Sequence, residues 1–448
     1  MDKRTRVSRR RVLGGAAGAG AAAALGGGAG LSRLDRALAA RRAPAMLRQG
    51  APLVYWGGLI FSDEANQMLV DEVTAWGEAN GVATETVMIN QNETNQKVSA
   101  AVESGTMPDA LDMGLDLLLL LSAADELSDL GELYDAIGAA QGGWYESVDA
   151  SVAPEKLGGA RTGVPFGAGG NLLFSRTDAL EAAGQTPPPE TWQALSEMAA
   201  AAQEPPLYGM GLALSNVGDG NLQISVMQSY GGRVANDEGT TCTIASPETA
   251  AYLEWVSSAY EAGLFPPGAT TWDGAGDNTA YLAGQAIFIA NTGSVSIAMD
   301  EDDPELAAAT SYSPLPAGPE ERISPINPNV RAIPTSTQDQ ERARSLVEHL
   351  QNPEFLARYY AVAIYGPVLQ DQADFEAFTG PVRAGLADLV TNGTAPGAPD
   401  VYNTAYADFS ANFIVPKMVQ RVVIDGLSIE QAMEEAQQQG QAIYDKYR

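Results

Sequence analysis

Histidine and cysteine are almost absent from this sequence, which has one of each in 448 residues, His349 and Cys242. A lone cysteine cannot form an internal disulfide, and a zinc site needs three or four ligands. With a single histidine in a helical pattern, no serine–histidine–aspartate triad can be assembled. The sequence therefore predicts no metal site, no cofactor and no catalytic residue of these kinds, while chemistry by carboxylates alone stays open.

Basic residues are also scarce, since 26 lysines and arginines stand against 56 aspartates and glutamates, for a net charge of −30. Much of the positive charge lies in the first 44 residues, so the remainder is more acidic still. Such a charge repels nucleic acid and anionic ligands and suits neutral or cationic ones. Beyond the N-terminus the sequence also lacks an apolar run of about 20 residues, the length that a membrane span needs.

The first 44 residues have the pattern of an export signal. Ser8-Arg9-Arg10-Arg11-Val12-Leu13 matches the twin-arginine motif and precedes a Gly/Ala-rich stretch of weak hydrophobicity. Ala37-Leu38-Ala39 is a candidate cleavage site. We therefore predict a signal segment over residues 1–44 and an exported protein, in the periplasm or at the outer face of the cytoplasmic membrane.

Strands and helices alternate at short spacing after the signal. The sequence predicts strands at "LVYWGG", "TETVMIN" and "ALDMG". Between the first two it predicts a helix that has Leu69, Val73 and Trp76 on one face and ends at Gly81. The next helix is predicted to begin at Thr94. This alternation predicts βαβ units with a parallel sheet, whose ligands bind beyond the carboxyl ends of the strands.

Three later stretches have the composition of connections between lobes. They are "GVPFGAGGNLLFSR", the proline-dense "YSPLPAGPEERISPINPNVRAIP" and "YYAVAIYGPVLQD". Between and after them lie helices with N-terminal signals, namely Thr191, Ser246 followed by Pro247, and the Ser428-x-x-Gln431 capping box. We therefore expect two α/β regions joined by three segments.

With these pieces in order, about residues 51 to 446 resemble the extracellular solute-binding proteins of ABC importers, of the class that includes maltose-binding proteins. The marks are "ESGTMPDAL", "GVPFGAGGNLLFSRTDALEAAGQTPPPETWQAL", "QSYGGRVANDEGT", "YLAGQAIFIANTGS", "SPLPAGP" and "IDGLSIEQAMEEA". Each mark is weak alone, whereas six in the family's order are specific.

The resemblance implies two α/β lobes joined by a three-segment hinge, the type II periplasmic-binding-protein-like fold, with the ligand cleft between the lobes. The lobes would comprise residues 51–168 plus 331–365 and residues 169–328 plus 370–448. The implied function is that of a receptor without enzymatic activity, which captures a sugar or oligosaccharide and delivers it to membrane permease subunits. We expect a monomer that binds no nucleic acid.

Sugar sites in this family stack aromatic rings on the apolar face of the sugar and bind its hydroxyls with polar side chains. Where the maltose-binding group has an aromatic soon after the "AIFIA" strand, this chain has Gly293 and Ser294. Trp272 is predicted to replace it as one wall of the site, with Asp273 and Asn291 beside it. The full set of predicted ligand-binding residues is Trp56, Ser62, Asn90, Asp112, Asp116, Trp272, Asp273, Asn291, Arg331, Tyr365 and Phe413.

Two alternatives remain open from the sequence. An exported glycoside hydrolase that uses carboxylates would also have aromatics and aspartates in a cleft. A binding protein for a cationic small molecule, such as a polyamine, would suit the acidic composition. The three connections favour capture by hinge closure over hydrolysis.

Overall fold

The computed structural model describes residues 51–448. The predicted signal segment therefore lies outside the described residues. The first part of the chain forms β1 (Leu53–Leu59), α1 (Asp63–Asn80), β2 (Thr84–Asn90), α2 (Gln91–Ser104), β3 (Ala110–Gly114), α3 (Leu115–Ala123), α4 (Gly131–Ala140), α5 (Glu146–Ser151) and β4 (Val164–Gly169).

The middle of the chain builds a second set of elements. These are β5 (Leu172–Arg176), α6 (Thr177–Ala182), α7 (Trp192–Ala202), β6 (Tyr208–Gly211), α8 (Leu222–Ser229), α9 (Pro247–Glu261), α10 (Gly276–Leu282), β7 (Ala286–Asn291), α11 (Val295–Asp302), α12 (Pro304–Ala308) and β8 (Thr310–Ser313). The last part adds β9 (Asn327–Ala332), α13 (Gln340–His349), α14 (Pro353–Val362), α15 (Pro381–Asn392), α16 (Thr404–Ala411), α17 (Ile414–Val423) and α18 (Ile429–Tyr444).

The strands form two separate sheets. One has five strands in the order β2-β1-β3-β9-β4 and the other has four in the order β6-β7-β5-β8. The pairs β1–β2 and β1–β3 are parallel, as the βαβ pattern predicts, whereas β9 runs antiparallel to β3 and β4. We call the layers built on these sheets the first lobe and the second lobe. The two separate sheets confirm the predicted two-lobe α/β architecture. The exact lobe limits given by the sequence stay predictions.

Several local predictions are confirmed by the backbone. Helix α1 ends at Gly81, whose φ of 66° is the left-handed conformation that glycine adopts at helix ends. Trp76 is buried at 3% exposure, as its position on the apolar face predicts. Thr191 and Ser246 cap their helices through side-chain oxygens. The predicted start of α2 at Thr94 was wrong, because the helix continues straight from β2 and begins at Gln91.

The connections between the sheets are tied together by backbone hydrogen bonds. Ala168 and Gly366 exchange two bonds, with N–O distances of 3.0 and 2.6 Å. Ile326 N donates to Thr394 O at 3.1 Å. The chain therefore passes between the sheets through segments that lie side by side.

Helix α16 contacts both lobes. It packs directly against α3, which follows β3 of the first sheet, and against α18. Helix α18 in turn lies against α9 and α17 of the second lobe. The leucines at positions 115 and 117–121 of α3 are all at most 4% exposed, so most of the surface of this helix is buried. No helix within residues 51–448 combines the length and apolarity that would let it cross a membrane.

A first prediction concerns Gly170, between β4 and β5. Its φ is +151°, and a Cβ there would lie 2.3 Å from Leu389 Cδ2 and 2.8 Å from Pro325 O. We expect Gly170→Ala to lower the free energy of unfolding by about 2–3 kcal/mol, because backbone strain and overpacking add. Gly184→Ala is the matched control, with a φ of +70° and no atom within 4 Å of the added Cβ. Equal losses for both variants in urea denaturation would contradict the packing assigned to this connection.

Candidate functional site

The strongest candidate site lies where α3 of the first lobe meets α16 of the second. Asp116 occupies the first turn of α3, directly after the carboxyl end of β3. Its Oδ1 accepts a hydrogen bond from Tyr402 Oη, and Ser410 also bonds its carboxylate. Asn221 Nδ2 donates to Ser410 Oγ at 3.0 Å, which extends the chain of hydrogen bonds to the start of α8. The polar network therefore crosses from one lobe to the other.

Asp116 is partly buried, and no positive charge among residues 51–448 compensates its carboxylate. Burial raises the pKa of its carboxyl above the usual range, and the bonds from Tyr402 and Ser410 lower it only in part. No lysine or arginine of residues 51–448 contributes to this shift. A carboxylate in such surroundings is best matched by hydroxyl donors, since hydrogen bonds to a charged oxygen are stronger than neutral ones.

Phe413 lies next to this network. Its backbone N donates to Ser410 O at 2.9 Å, and its φ of 53° and ψ of 43° place it in the left-handed region. A bulky residue in this conformation costs on the order of 1–3 kcal/mol, and such strain concentrates at functional sites. Phe413 is thus linked through its backbone to Ser410, which bonds Asp116, and its role in ligand binding stays a prediction.

Asn291, another predicted site residue, holds together the end of β7. Asn291 Nδ2 donates to Asp277 Oδ2 at 2.7 Å and to Asn278 Oδ1 at 2.6 Å. Asn291 Oδ1 accepts from Gly293 N at 2.9 Å and from Ser294 Oγ at 3.3 Å. Asn291 is 6% exposed, so these bonds fix the loop after the strand with little of the side chain left open.

Trp272 lines a cavity of about 360 Å³ together with Asp273 and Gln285. All residues that line it lie between positions 271 and 285, so the first lobe does not contribute to it. The indole also packs so closely against Gly276 that a Cβ there would lie 2.2 Å from the ring. Asp273 is exposed, and its Oδ1 accepts from Ala275 N at 3.0 Å in a local turn. The structure therefore places Trp272 and Asp273 at a cavity of the second lobe alone.

Asp219 lies close to Asp273 and Asp277 and was missed by the sequence analysis. Burial, followed by repulsion from Asp277 and Asp273, raises the pKa of Asp219 to about 7. In the described part of the chain, no basic residue contributes to the pKa shift of Asp219. The glycine-flanked stretch "NVGDGN", which follows β6, was the available signal.

Three further predicted residues form a group inside the first lobe. Asp112 on β3 and Arg331 on β9 are direct neighbours in register, with Arg331 Nε 3.4 Å from Asp112 Oδ1. Tyr55 Oη donates to Asp112 and accepts from Arg331 Nε at 3.1 Å. Arg331 is fully buried over the Phe166 ring, and Tyr365, itself 8% exposed, packs edge-on against that ring. Burial raises the pKa of Asp112, which Arg331 partly offsets.

The remaining predicted residues lie apart from one another. Trp56 is half-buried and packs on the cluster that contains Leu111 and Met113, on the opposite side of β1 from Tyr55. Ser62 caps α1, with its Oγ accepting from Ala65 N at 3.1 Å. Asn90 is exposed at the end of β2. Among residues 51–448, no group of three or more His, Cys, Asp or Glu side chains could hold a metal ion.

Comparison with known proteins identifies the family. The profile described as "bacterial extracellular solute-binding protein" matches residues 72–382, which is more than half of the chain. The chain therefore belongs to the bacterial extracellular solute-binding protein family. A curated relative, the "probable ABC transporter-binding protein" of Deinococcus radiodurans, is 23% identical over 258 residues, covering 55% of this chain. The chain spans 61% of that relative's length.

Solved structures with low sequence identity share the fold. The maltose-bound MalE3 of T. maritima has a TM-score of 0.74 at 19% identity, covering 88% of this chain and 99% of that chain. A solute-binding protein from Agrobacterium radiobacter K84 in complex with ribitol has a TM-score of 0.76 at 18% identity, covering 88% and 99%. These similarities confirm the periplasmic-binding-protein-like fold that the sequence resemblance implied.

A second prediction separates a structural role from a ligand-binding role for Arg331. We expect Arg331→Met to lower the free energy of unfolding by about 3–5 kcal/mol, because Asp112 would remain buried without its partner. Adding Asp112→Asn should recover part of the lost free energy of unfolding. The double variant should therefore be more stable than the sum of the two single effects predicts. Urea denaturation of the four proteins of this cycle measures both effects. If Arg331→Met unfolds like the wild type and only ligand affinity falls, Arg331 contacts the ligand instead.

Proposed function

We propose that this solute-binding protein captures a sugar or polyol between its two lobes and delivers it to the membrane permease of an ABC importer. One observation carries the proposal. Asp116 lies at the carboxyl end of a parallel strand in the first lobe, and among residues 51–448 its side chain is bonded by hydroxyl groups of the second lobe alone, those of Tyr402 and Ser410. A ligand rich in hydroxyls can make the same bonds to both lobes, so its binding favours their closure.

The chemistry of the proposed site suits a neutral ligand. We propose that Phe413, three residues after Ser410, supplies an aromatic surface to the ligand, because aromatic rings cover the apolar face of a sugar. The absence of a basic partner for Asp116 in residues 51–448 disfavours an anionic ligand. Sugars and polyols are the ligands named for structural relatives, which include proteins bound to α-D-tagatose, maltose, ribitol and laminaribiose.

The proposed contact set is narrower than the set predicted from the sequence. Asp116 and Phe413 form its centre, and Tyr402, Ser410 and Asn221 join it. Asn291 and Asp273 are proposed as contacts only for a ligand that extends along the second lobe towards Asp219. We also propose that the protein acts as a monomer and without enzymatic activity, because capture and release need only the two lobes and a permease.

A cationic ligand remains the second candidate, because of Asp219. Burial, followed by repulsion from Asp277 and Asp273, raises the pKa of the Asp219 carboxyl to about 7, and a bound cation would stabilise its charged form. A polyamine would then bind near Asp219, whereas a sugar would bind near Asp116. The two candidates therefore predict different sensitive residues.

A third prediction tests the ligand class. Tagatose, ribitol, maltose, laminaribiose and spermidine are titrated against the purified protein by calorimetry, with thermal unfolding in parallel. A true ligand at about a hundredfold excess over its dissociation constant should stabilise the fold by about 2.7 kcal/mol. Asp116→Asn should weaken saccharide or polyol binding at least about tenfold, since a hydrogen bond to a charged group contributes roughly 1.5–3 kcal/mol.

Asp302→Asn, an exposed carboxylate on α11, is the matched control and should bind like the wild type. Binding of spermidine alone, lost in Asp219→Asn and kept in Asp116→Asn, would replace the sugar proposal with the cationic one. Chromatography of the recovered saccharide tests the glycoside hydrolase alternative, which predicts cleavage products.

We also propose export by the twin-arginine route, followed by action in the periplasm or at the outer face of the membrane. Family membership supports an extracellular location, and Arg9-Arg10 before the Gly/Ala-rich stretch supports the route.

A fourth prediction follows for export. Replacing Arg9 and Arg10 together by lysine should abolish secretion of the chain in a bacterial host with a twin-arginine system. Replacing Arg41 and Arg42 by lysine is the control, because it makes the same change outside the motif and should leave secretion intact. The secreted and cell-associated fractions are compared by immunoblot. Normal secretion of the first variant would indicate a different export route.

A further inference from the structure

Phe61, two residues after the end of β1, is an aromatic residue with an open face. It is 47% exposed, whereas every other phenylalanine, tyrosine and tryptophan of residues 51–448 is buried or half-buried. Leu59, the last residue of β1, is 39% exposed. Apolar exposure is therefore concentrated at this strand end, and a concentration of exposed apolar surface marks a place where another molecule binds.

The backbone is fixed on both sides of Phe61. Before it, Asn66 Oδ1 accepts from Ile60 N at 3.0 Å, and Asn66 Nδ2 donates to Ile60 O at 2.7 Å. After it, Ser62 caps α1 through its side chain, and Ser62 O accepts from Asn66 N at 3.0 Å. Because the turn that carries Phe61 is already ordered, a ligand that contacts the ring loses little affinity to ordering of the backbone.

Phe61 and Asp116 lie at the same edge of the first sheet. Strands β1 and β3 are parallel neighbours, and Tyr55 is paired with Ala110 in their register. Phe61 and Asp116 each come six positions after their member of this pair, so both lie just beyond the carboxyl ends of adjacent strands. This is the edge at which ligands bind to parallel sheets.

This edge of the sheet faces the second lobe, because Asp116 accepts a hydrogen bond from Tyr402 across the contact between the lobes. A ligand held at Asp116 therefore lies on the same edge as Phe61. In contrast, Trp272, which the sequence predicted as the aromatic wall, lines a cavity of the second lobe alone. Phe61 is thus the exposed ring that the first lobe offers at the carboxyl ends of its strands.

An aromatic ring beside a hydroxyl-binding carboxylate distinguishes between two kinds of neutral ligand. A cyclic sugar has a flat apolar C–H face that a ring can cover, together with hydroxyls that Asp116 can accept. An acyclic polyol offers the hydroxyls but no rigid apolar face. Stacking on Phe61 would therefore add affinity for the cyclic sugar alone.

We propose that Phe61 is the stacking residue of the first lobe and that it makes the protein select cyclic sugars over acyclic polyols. This inference rests on the proposed function, since it takes Asp116 as the hydroxyl-binding residue of the same site. It assigns the selection among neutral ligands to a residue of the first lobe, at the strand end next to the one that leads to Asp116.

The experiment measures the affinity for maltose, laminaribiose and ribitol by calorimetry in the wild type, Phe61→Leu and Phe61→Tyr. Leucine keeps an apolar side chain without a flat face, whereas tyrosine keeps the ring. We expect Phe61→Leu to weaken binding of the two disaccharides about three- to tenfold and to leave ribitol binding unchanged. Phe61→Tyr should bind all three like the wild type. Neither substitution should change the melting temperature, because Phe61 is exposed.

Leu282→Ala is the control for loss of exposed apolar surface. Leu282 is 38% exposed at the end of α10, before the amino end of β7 and so at the opposite edge of a sheet, and its loss should not change binding. Unchanged disaccharide binding in Phe61→Leu, while Asp116→Asn weakens it, overturns the stacking role and leaves the proposed function standing. Unchanged binding in Asp116→Asn overturns the proposed function, and this inference with it. A wild type that binds no cyclic sugar overturns the selectivity, whether or not it binds ribitol.

Discussion

The paired backbone segments that connect the two sheets are the constraint on which the rest of the structure depends. Ala168 and Gly366 exchange hydrogen bonds, and Ser324 and Ile326 both bond to Thr394. These bonds hold the end of β4 beside the segment after α14, and the approach to β9 beside the segment after α15. The positions of α3 and α16, and so of Asp116 and Ser410, depend on these paired segments, through which the chain passes between the sheets.

The carboxylates of Asp112 and Asp116 have different kinds of partner. In the interior of the first lobe, Asp112 has Arg331 as its partner, and Tyr55 links the two. Between the lobes, Asp116 has only hydroxyl partners. A buried ion pair is strongly coupled to stability, whereas a carboxylate bonded by hydroxyls can exchange them for those of a ligand. The protein thus separates a carboxylate that stabilises the lobe from one suited to recognition.

Local signals in the sequence predicted local structure well. Gly81, Thr191, Ser246 and the Ser428 capping box all mark helix ends where the structure has them, because capping depends on neighbouring residues. The alternation of strands and helices, together with the family marks, gave the two-lobe fold. The start of α2 was missed because the chain enters the helix directly from β2, with no capping signal between them.

The candidate site was less predictable, since its contacts join distant parts of the chain. Tyr402 lies 286 residues after Asp116, and no spacing rule relates them. Asp112 and Arg331 were predicted to bind the ligand, which stays a prediction, and the structure shows them as a buried ion pair. Their burial depends on Tyr55 and Phe166, which approach only in the folded lobe. Asn291 likewise has the expected position at the end of β7, while its partners Asp277 and Asn278 come from the preceding helix.

The leucine-rich helix α3 sets a limit on how the lobes can move. Its side chains are covered by the first lobe on one side and by α16 on the other. Pulling α16 away would expose leucine surface to water at about 25 cal/mol for each Å². Wide separation of α16 from α3 is therefore costly, so the contact between these two helices limits how far the lobes can part.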